Sequence, residues 1–201
     1  LPSPAQILDE CCRRDPLYWA QNWTKTENPH YVQQGLEFRA PFPRKSYFRP
    51  LFDALKEEER LFICKSREML SSWAVMIFAA HEAQWFKAEV VVQTDSEQKA
   101  KELVSYGECL YRNQETWLKQ LHPLKSAASA LSIEWEEGGR IFGIPHGQHK
   151  LRLFHPTIVI FDEASFLPEF EACYNVAQPV AKKIIAVSSA GPGAFADQCS
   201  V

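Results

Sequence analysis

Short apolar runs alternate with longer, helix-length apolar segments along the whole of this chain. Leu61-Phe62-Ile63-Cys64 is short enough for a buried strand, and Ala74 to Phe86 has the apolar density of a buried helix. Ala88 to Gln93 reads as the next strand, after which Thr94-Asp95-Ser96 offers a cap for a helix from Glu97 to Glu108. Asn113 to Leu121 reads as a further helix. Leu131 to Glu136 and Arg140 to Ile144, joined around Gly138-Gly139, read as a β-hairpin, followed by a polar loop from Pro145 to Lys150. Thr157 to Phe161 is a β-rich strand, 167–176 is helical and 183–188 is again a strand. Towards the N-terminus, Ser3 or Pro4 starts a short helix reaching Arg14, and an aromatic-rich stretch runs from Asp15 to Trp23. Phe48 to Glu59 is helical, with Pro50 in its first turn and Glu57-Glu58-Glu59 on a solvated face. Strands alternating with helices, without an internal repeat, predict an α/β fold with a mainly parallel sheet covered on both faces. Ligands of such sheets sit at the C-terminal ends of the strands.

Composition narrows the picture modestly. A chain of 201 residues with 46% hydrophobic and 23% charged residues can bury a sizeable core and is globular in character. The net charge of −3 gives no global basic signature, so any nucleic-acid contact has to come from a local patch. Six cysteines show no C-x-x-C spacing, which fits free thiols in a reducing compartment, with Cys64 inside a buried strand. Asn22-Trp23-Thr24 matches a glycosylation sequon, a triplet frequent by chance. No apolar run is long enough to span a bilayer, and the expectation is a soluble, intracellular protein.

The chemistry concentrates after two of the strands. Lys65-Ser66-Arg67-Glu68-Met69-Leu70-Ser71-Ser72-Trp73 is a polar, cationic turn between a strand and a helix. There the N–H groups and dipole of a helix start favour phosphate. Against the phosphate-loop pattern G-x-x-x-x-G-K-[ST], only Ser72 matches: Lys65 stands at the first glycine, Leu70 at the second and Ser71 at the lysine. The second stretch, Thr157-Ile158-Val159-Ile160-Phe161-Asp162-Glu163, is an apolar strand ending in two carboxylates. In a Walker B arrangement the Asp holds Mg²⁺ and the next Glu polarises a water against the γ-phosphate.

Lys65-Ser66-Arg67-x-Met69-x-x-Ser72-Trp73 resembles the deviant Walker A of the large terminase subunits of tailed bacteriophages, in which the lysine has moved to the front of the loop. His155-Pro156-Thr157 through Phe161-Asp162-Glu163-Ala164-Ser165-Phe166 is similar to their Walker B and its tail. Val187-Ser188-Ser189-Ala190-Gly191-Pro192 resembles their coupling motif. The resemblance covers roughly residues 15 to 195. It implies a three-layer P-loop NTPase fold of the ASCE type, with an N-terminal helical and aromatic segment over 1–60 and the ATPase core over 61–201. Family members continue into an RNase H-like nuclease, for which this chain has no room.

The resemblance also assigns roles, with ATP and Mg²⁺ as ligands. Lys65 reaches the β- and γ-phosphates, and Ser66, Ser71 and Ser72 line the loop. Ser72 is the best match to the Mg²⁺-ligating hydroxyl, with Ser71 as a substitute; capping the helix is the other role open to Ser72. Arg67 acts on the γ-phosphate as an arginine finger in cis, or pairs with Glu68. Asp162 binds the metal and Glu163 activates water. Ser188 and Ser189 sense the γ-phosphate, or form a turn before Gly191. Trp73 and Met69 pack. An aromatic of the Pro41-Phe42-Pro43 or Tyr47-Phe48 group stacks on the purine, or Tyr47 and Phe48 share a helix face with Leu51 and Leu55. Arg44, Lys45 or Arg49 reaches phosphate, and Gln33 or Gln34 reads the adenine edge. A metal site from His146, His149 and His155 is disfavoured; Arg152 or His155 instead orders the loop near the phosphates. Leu70 departs from the family's glycine, where a positive φ costs another residue roughly 1–2 kcal/mol.

The function implied is an ATP-driven motor that packages double-stranded DNA, working as a homo-oligomeric ring on the portal protein, with a small terminase subunit, in the host cytoplasm. The rivals are a helicase-like, nucleic-acid-dependent ATPase and a non-catalytic remnant that only binds partners.

Overall fold

The computed structural model describes residues 2–33, 35, 37–66, 68–191 and 193–199, apart from the side chains of Pro29 and His30. In chain order come α1 (Pro4–Arg14), α2 (Pro16–Asn22), β1 (Thr26–Glu27), α3 (Pro29–Gln33), β2 (Arg39–Ala40) and α4 (Phe48–Glu57). Then follow β3 (Arg60–Lys65), α5 (Ser71–Phe86), β4 (Glu89–Thr94), α6 (Glu97–Asn113), α7 (Thr116–Leu121), β5 (Ser132–Glu134) and β6 (Arg140–Pro145). The chain ends with α8 (Gln148–Leu151), β7 (Ile158–Asp162), a 3₁₀ turn at Ala164–Phe166, α9 (Phe170–Ala177), β8 (Lys183–Ser189) and α10 (Ala194–Cys199).

Among the described residues, six strands form one sheet in the order β3-β8-β7-β4-β6-β5. All neighbours are parallel except the β5–β6 pair, the expected hairpin. The interior strands are apolar on both faces, as helices on both sides of a parallel sheet require. Val90, Val92, Ile158, Ile160, Ile185 and Val187 face a cluster built with α1, α2, α4, α5 and α6. Val91, Val159, Phe161, Ile184 and Ala186 face the other, built with α8, α9 and α10. The fold is therefore the predicted three-layer α/β class.

The helix after the cationic loop, α5, is the centre of the first layer. It is apolar all round and almost wholly buried, as a helix covered on every side must be. Trp19 from α2 and Phe48, Phe52 and Leu55 from α4 join it in one cluster, so residues 1–60 and the rest share a core. Local chemistry starts the N-terminal helices. Ser3 and Gln6 form a reciprocal capping box on α1, and Asp15 accepts from the N–H groups of Leu17 and Tyr18 to begin α2.

Several expectations need correction. Cys64 is exposed, because among the described residues β3 lies at the sheet edge with one strand neighbour. The aromatic stretch after Asp15 is a helix, α6 runs on to Asn113, and the polar loop after β6 contains α8. The β1–β2 ribbon and α10 were not expected. Among the described residues, no helix is long and apolar enough to cross a membrane.

Candidate functional site

Four adjacent strands deliver polar side chains at their C-terminal ends. Lys65 ends β3 and pairs in register with Ser189 at the end of β8. Asp162 ends β7 beside Val187 of β8. On the other side of β7, Gln93 of β4 is in register with Phe161, so Thr94 and Asp95 come next to Asp162 and Glu163.

The side chains close a connected network. Lys65 Nζ donates to Glu163 Oε1 at 2.7 Å. Glu163 Oε2 accepts from the Ser189 hydroxyl at 3.1 Å and the Ser189 N–H at 3.4 Å. The Ser72 hydroxyl donates to Asp162 Oδ1 at 3.2 Å. Ser72 lies inside α5, after its N-cap, so its hydroxyl is not the cap of this helix. The N-cap of α5 is Leu70, which brings no side-chain acceptor to the first-turn N–H groups. Those donors are the ones a helix cannot satisfy internally.

The loop backbone is contorted at the expected place. Leu70 has φ +55°, and Glu68 (φ +64°) and Glu163 (φ +52°) are also left-handed. A non-glycine residue in this region costs roughly 1–2 kcal/mol. Leu70 recovers part of that by packing, half-buried, against the core beside α5.

Burial first, and the neighbouring Glu163 charge second, push the Asp162 carboxyl up to about 6, against the pull of Lys65, Ser72 and Lys99. For Glu163 burial also works upwards, but the Lys65 hydrogen bond and charge and the two Ser189 donors outweigh it, leaving this carboxyl below its ordinary value. The two adjacent carboxylates are thus differentiated: one firmly ionised, one poised near neutrality.

Lys99, in the first turn of α6, is a site residue that the sequence reading missed. Its Nζ lies 2.9 Å from Asp95 Oδ2. That hydrogen bond holds it above its ordinary value, with the fields of Glu163 and Asp162 adding to the effect. The available signal was the polar Thr94-Asp95-Ser96 tip after an apolar strand, the same pattern as at Asp162.

Other expected residues spread more widely. Ser188 is fully buried, and its hydroxyl accepts from the Ser165 N–H at 3.1 Å, tying β8 to the turn after Glu163. Tyr47 is 38% exposed and lines a small cavity beside Lys65, whereas Phe48 is buried against Phe42. Trp73 is buried and stacks on Tyr106, and Met69 lines the cavity with Tyr47. Arg44 bonds Asn22 and Arg49 bonds Asp15, so both turn towards the N-terminal segment. The backbone N–H of His155 bonds Glu89 at the start of β4, the opposite end of the sheet from the loop, so His155 does not order the phosphate side. Ser66 is exposed in the loop, and Ser71 is buried at the start of α5. Arg67 and Gln34 lie outside the described residues.

No family model and no curated protein matches the sequence. Solved structures do match the fold. The large terminase of bacteriophage HK97 superposes with a TM-score of 0.62 at 9% identity, covering 89% of this chain. The ATPase domain of a Thermus phage large terminase gives 0.52 at 13% identity, over 86% of this chain and 73% of that one. The chain thus has the fold of the phage large terminase ATPase domains, and it spans 38% of the length of the HK97 protein.

Proposed function

We propose that this chain is a Mg²⁺-dependent ATPase module of the DNA-packaging terminase kind. The observation that carries the reading is the joining of Lys65 to Glu163 and Ser72 to Asp162 across the open N-terminus of α5. Lys65 and the α5 N–H groups bind and orient the triphosphate. The residues present suit a divalent cation: Asp162 is buried, its charge is poorly compensated, and a hydroxyl lies beside it. Among the described residues no group of three or more His, Cys, Asp and Glu gathers to hold a metal. The protein would therefore supply Asp162 and Ser72, with phosphate oxygens and water completing the shell. Bound there, Mg²⁺ neutralises charge building on the phosphate oxygens.

Glu163 is the base, taking a proton from the attacking water onto a carboxylate oxygen as the β–γ phosphoanhydride bond breaks. Triphosphate competes with Glu163 for Lys65, so substrate arrival itself frees the base. Ser189 holds the other carboxylate oxygen and couples this event to the end of β8. Arg67, by its place in the loop, is the cis cation for the γ-phosphate. Double-stranded DNA, portal protein, small terminase subunit and a ring of like subunits in the host cytoplasm are the partners and setting this reading carries.

One observation favours a second reading, a site that has lost turnover: Leu70 holds a left-handed conformation where the loop approaches phosphate. Calorimetry of ATP with and without Mg²⁺ separates the two. Tight, Mg²⁺-dependent binding that is lost in Lys65→Ala and kept in Glu163→Gln, with wild-type turnover, supports the ATPase. Wild-type binding without turnover supports the remnant, and absence of any ATP binding refutes a nucleotide site.

A further inference from the structure

Leu70 stands where the phosphate-loop pattern has its second glycine, and it joins the loop to α5 as the helix N-cap. Its backbone is left-handed, at φ +55° and ψ +25°, two residues after Glu68 at φ +64°. A side chain is unfavourable there, because its Cβ crowds the following carbonyl oxygen. The Leu70 side chain is not left in solvent, however. It is half-buried and packs against the core cluster that surrounds α5. Its neighbour Met69, also half-buried, lines one small cavity with Tyr47, Leu51 and Ile63 from the start of α4 and from β3. Two adjacent apolar side chains thus fasten the loop to the fold.

The conformation of Leu70 has two effects on the start of α5. Its carbonyl accepts the first bond of the helix, from the Ala74 N–H at 2.9 Å, so the backbone angles at Leu70 set how the helix begins. As an apolar N-cap it also leaves the first-turn N–H groups without a side-chain acceptor, where Ser, Thr, Asp or Asn would take them up. Those are the donors an anion uses. A glycine would adopt the same angles without strain, but it would leave them as easily. Leucine holds them because its side chain is lodged against the core. These contacts are the protein's own, so they act before a phosphate arrives, and a loop shaped in advance binds without first having to be ordered.

We propose that Leu70 is a positioning residue that anchors the phosphate loop in its N–H-presenting form, so that this leucine strengthens triphosphate binding. The inference rests on the phosphate-site reading above. It gives Leu70 the opposite sign from the reading of a lost site.

The test is calorimetry of ATP and of inorganic tripolyphosphate, in Mg²⁺, with the wild type, Leu70→Gly, Leu70→Ala and Leu70→Met. Leu70→Gly removes anchor and strain together, whereas Leu70→Ala removes the anchor and keeps a Cβ on a left-handed residue. Both ligands should therefore bind Leu70→Ala most weakly, roughly five- to tenfold below the wild type, as loss of a half-buried leucine side chain implies. Leu70→Gly should fall in between. Leu70→Met, apolar and similar in volume, should stay within about twofold of the wild type. In turnover, KM for ATP should rise by the same factor as the affinity falls, with kcat changed less than about twofold, since bound phosphate itself holds the loop. A variant that was merely less folded would lose kcat instead. In the nucleotide-free protein, the Ala74 amide should exchange with solvent fastest in Leu70→Ala. Leu70→Gly binding ATP as tightly as the wild type, or more tightly, overturns the proposal. An Ala74 exchange rate unchanged in Leu70→Ala overturns it as well. If the wild type binds neither ATP nor tripolyphosphate, the phosphate-site reading falls and takes the inference with it. If the wild type binds both and the variants bind them equally, phosphate recognition stands and the anchor alone is refuted.

Discussion

Asp162→Asn should make the nucleotide-free protein more stable, although it removes a residue placed at the centre of the site. The carboxyl is buried and its value is lifted from 3.8 to about 6, chiefly by burial. An unfolded chain releases this proton near 3.8 and the folded one near 6, so across that window the folded state holds more protons. Stability from this group therefore falls as pH rises through the window and stays low above it. The full difference is worth ~3 kcal/mol at pH 7. Asparagine has no charge to bury and keeps an oxygen for the Ser72 hydroxyl. The full difference is already net of the attraction of Lys65 and Lys99. The new amide N–H₂ puts a buried donor where an acceptor stood, which costs about 1–2 kcal/mol without a partner. The net gain should therefore be ~1–2 kcal/mol, or about 3–6 °C in Tm for a chain of this size. Urea melts of both proteins at pH 5 and pH 7 give the assay. The variant should be the more stable at pH 7, and the two should converge towards pH 5. Saturating Mg²⁺ with nucleotide should stabilise the wild type far more than the variant. A variant less stable at pH 7, or a pH slope equal to the wild type's, would refute the reasoning.

Two further outcomes follow from particular contacts. A Cβ at Gly139 would run into the backbone oxygen of Ala83 at the end of α5. Gly139→Ala should therefore cost about 3 kcal/mol or more, read as a lowered urea midpoint; a change below 1 kcal/mol would show that β6 can shift away from α5. Lys99 faces Asp162 and Glu163 electrostatically. Lys99→Met should raise both carboxyls and move the acid limb of the pH–rate profile upwards, cutting kcat at pH 6 roughly threefold; an unmoved limb would place Lys99 outside the site's field.

The interior of the sheet was legible because a parallel strand buried on both faces must be a continuous apolar run, as Val90 to Val92 and Ile158 to Phe161 are. The same logic failed for Cys64. Leu61 to Cys64 has the same local pattern, but its place at the edge depends on strand order, which no local window contains. The β1–β2 ribbon and α10 were illegible for a related reason: two-residue strands and a six-residue helix have too little periodicity, and tertiary contacts hold them. At the site, Ser72, Asp162 and Glu163 were readable from motif and spacing and Lys65 from the resemblance, and the left-handed Leu70 was foreseeable from the glycine it replaces in the family's loop. Thr94, Asp95 and Lys99 were not, since only the register of β4 on β7 brings them to the carboxylates.

The edge position of β3 has a mechanical consequence. Among the described residues, the strand that carries Lys65 is hydrogen-bonded to a single neighbour, β8, and its residues are half-buried or exposed, while β7 and β4 are held on both sides. Opening that strand breaks one ladder instead of two, so its amides should exchange with solvent through a lower-energy fluctuation than those of β7. The cation end of the site thus rides on a compliant support and the carboxylate end on a stiff one. Anything clamped between Lys65 and Asp162 would brace the weak side against the strong, and most of the rigidity gained would appear in β3.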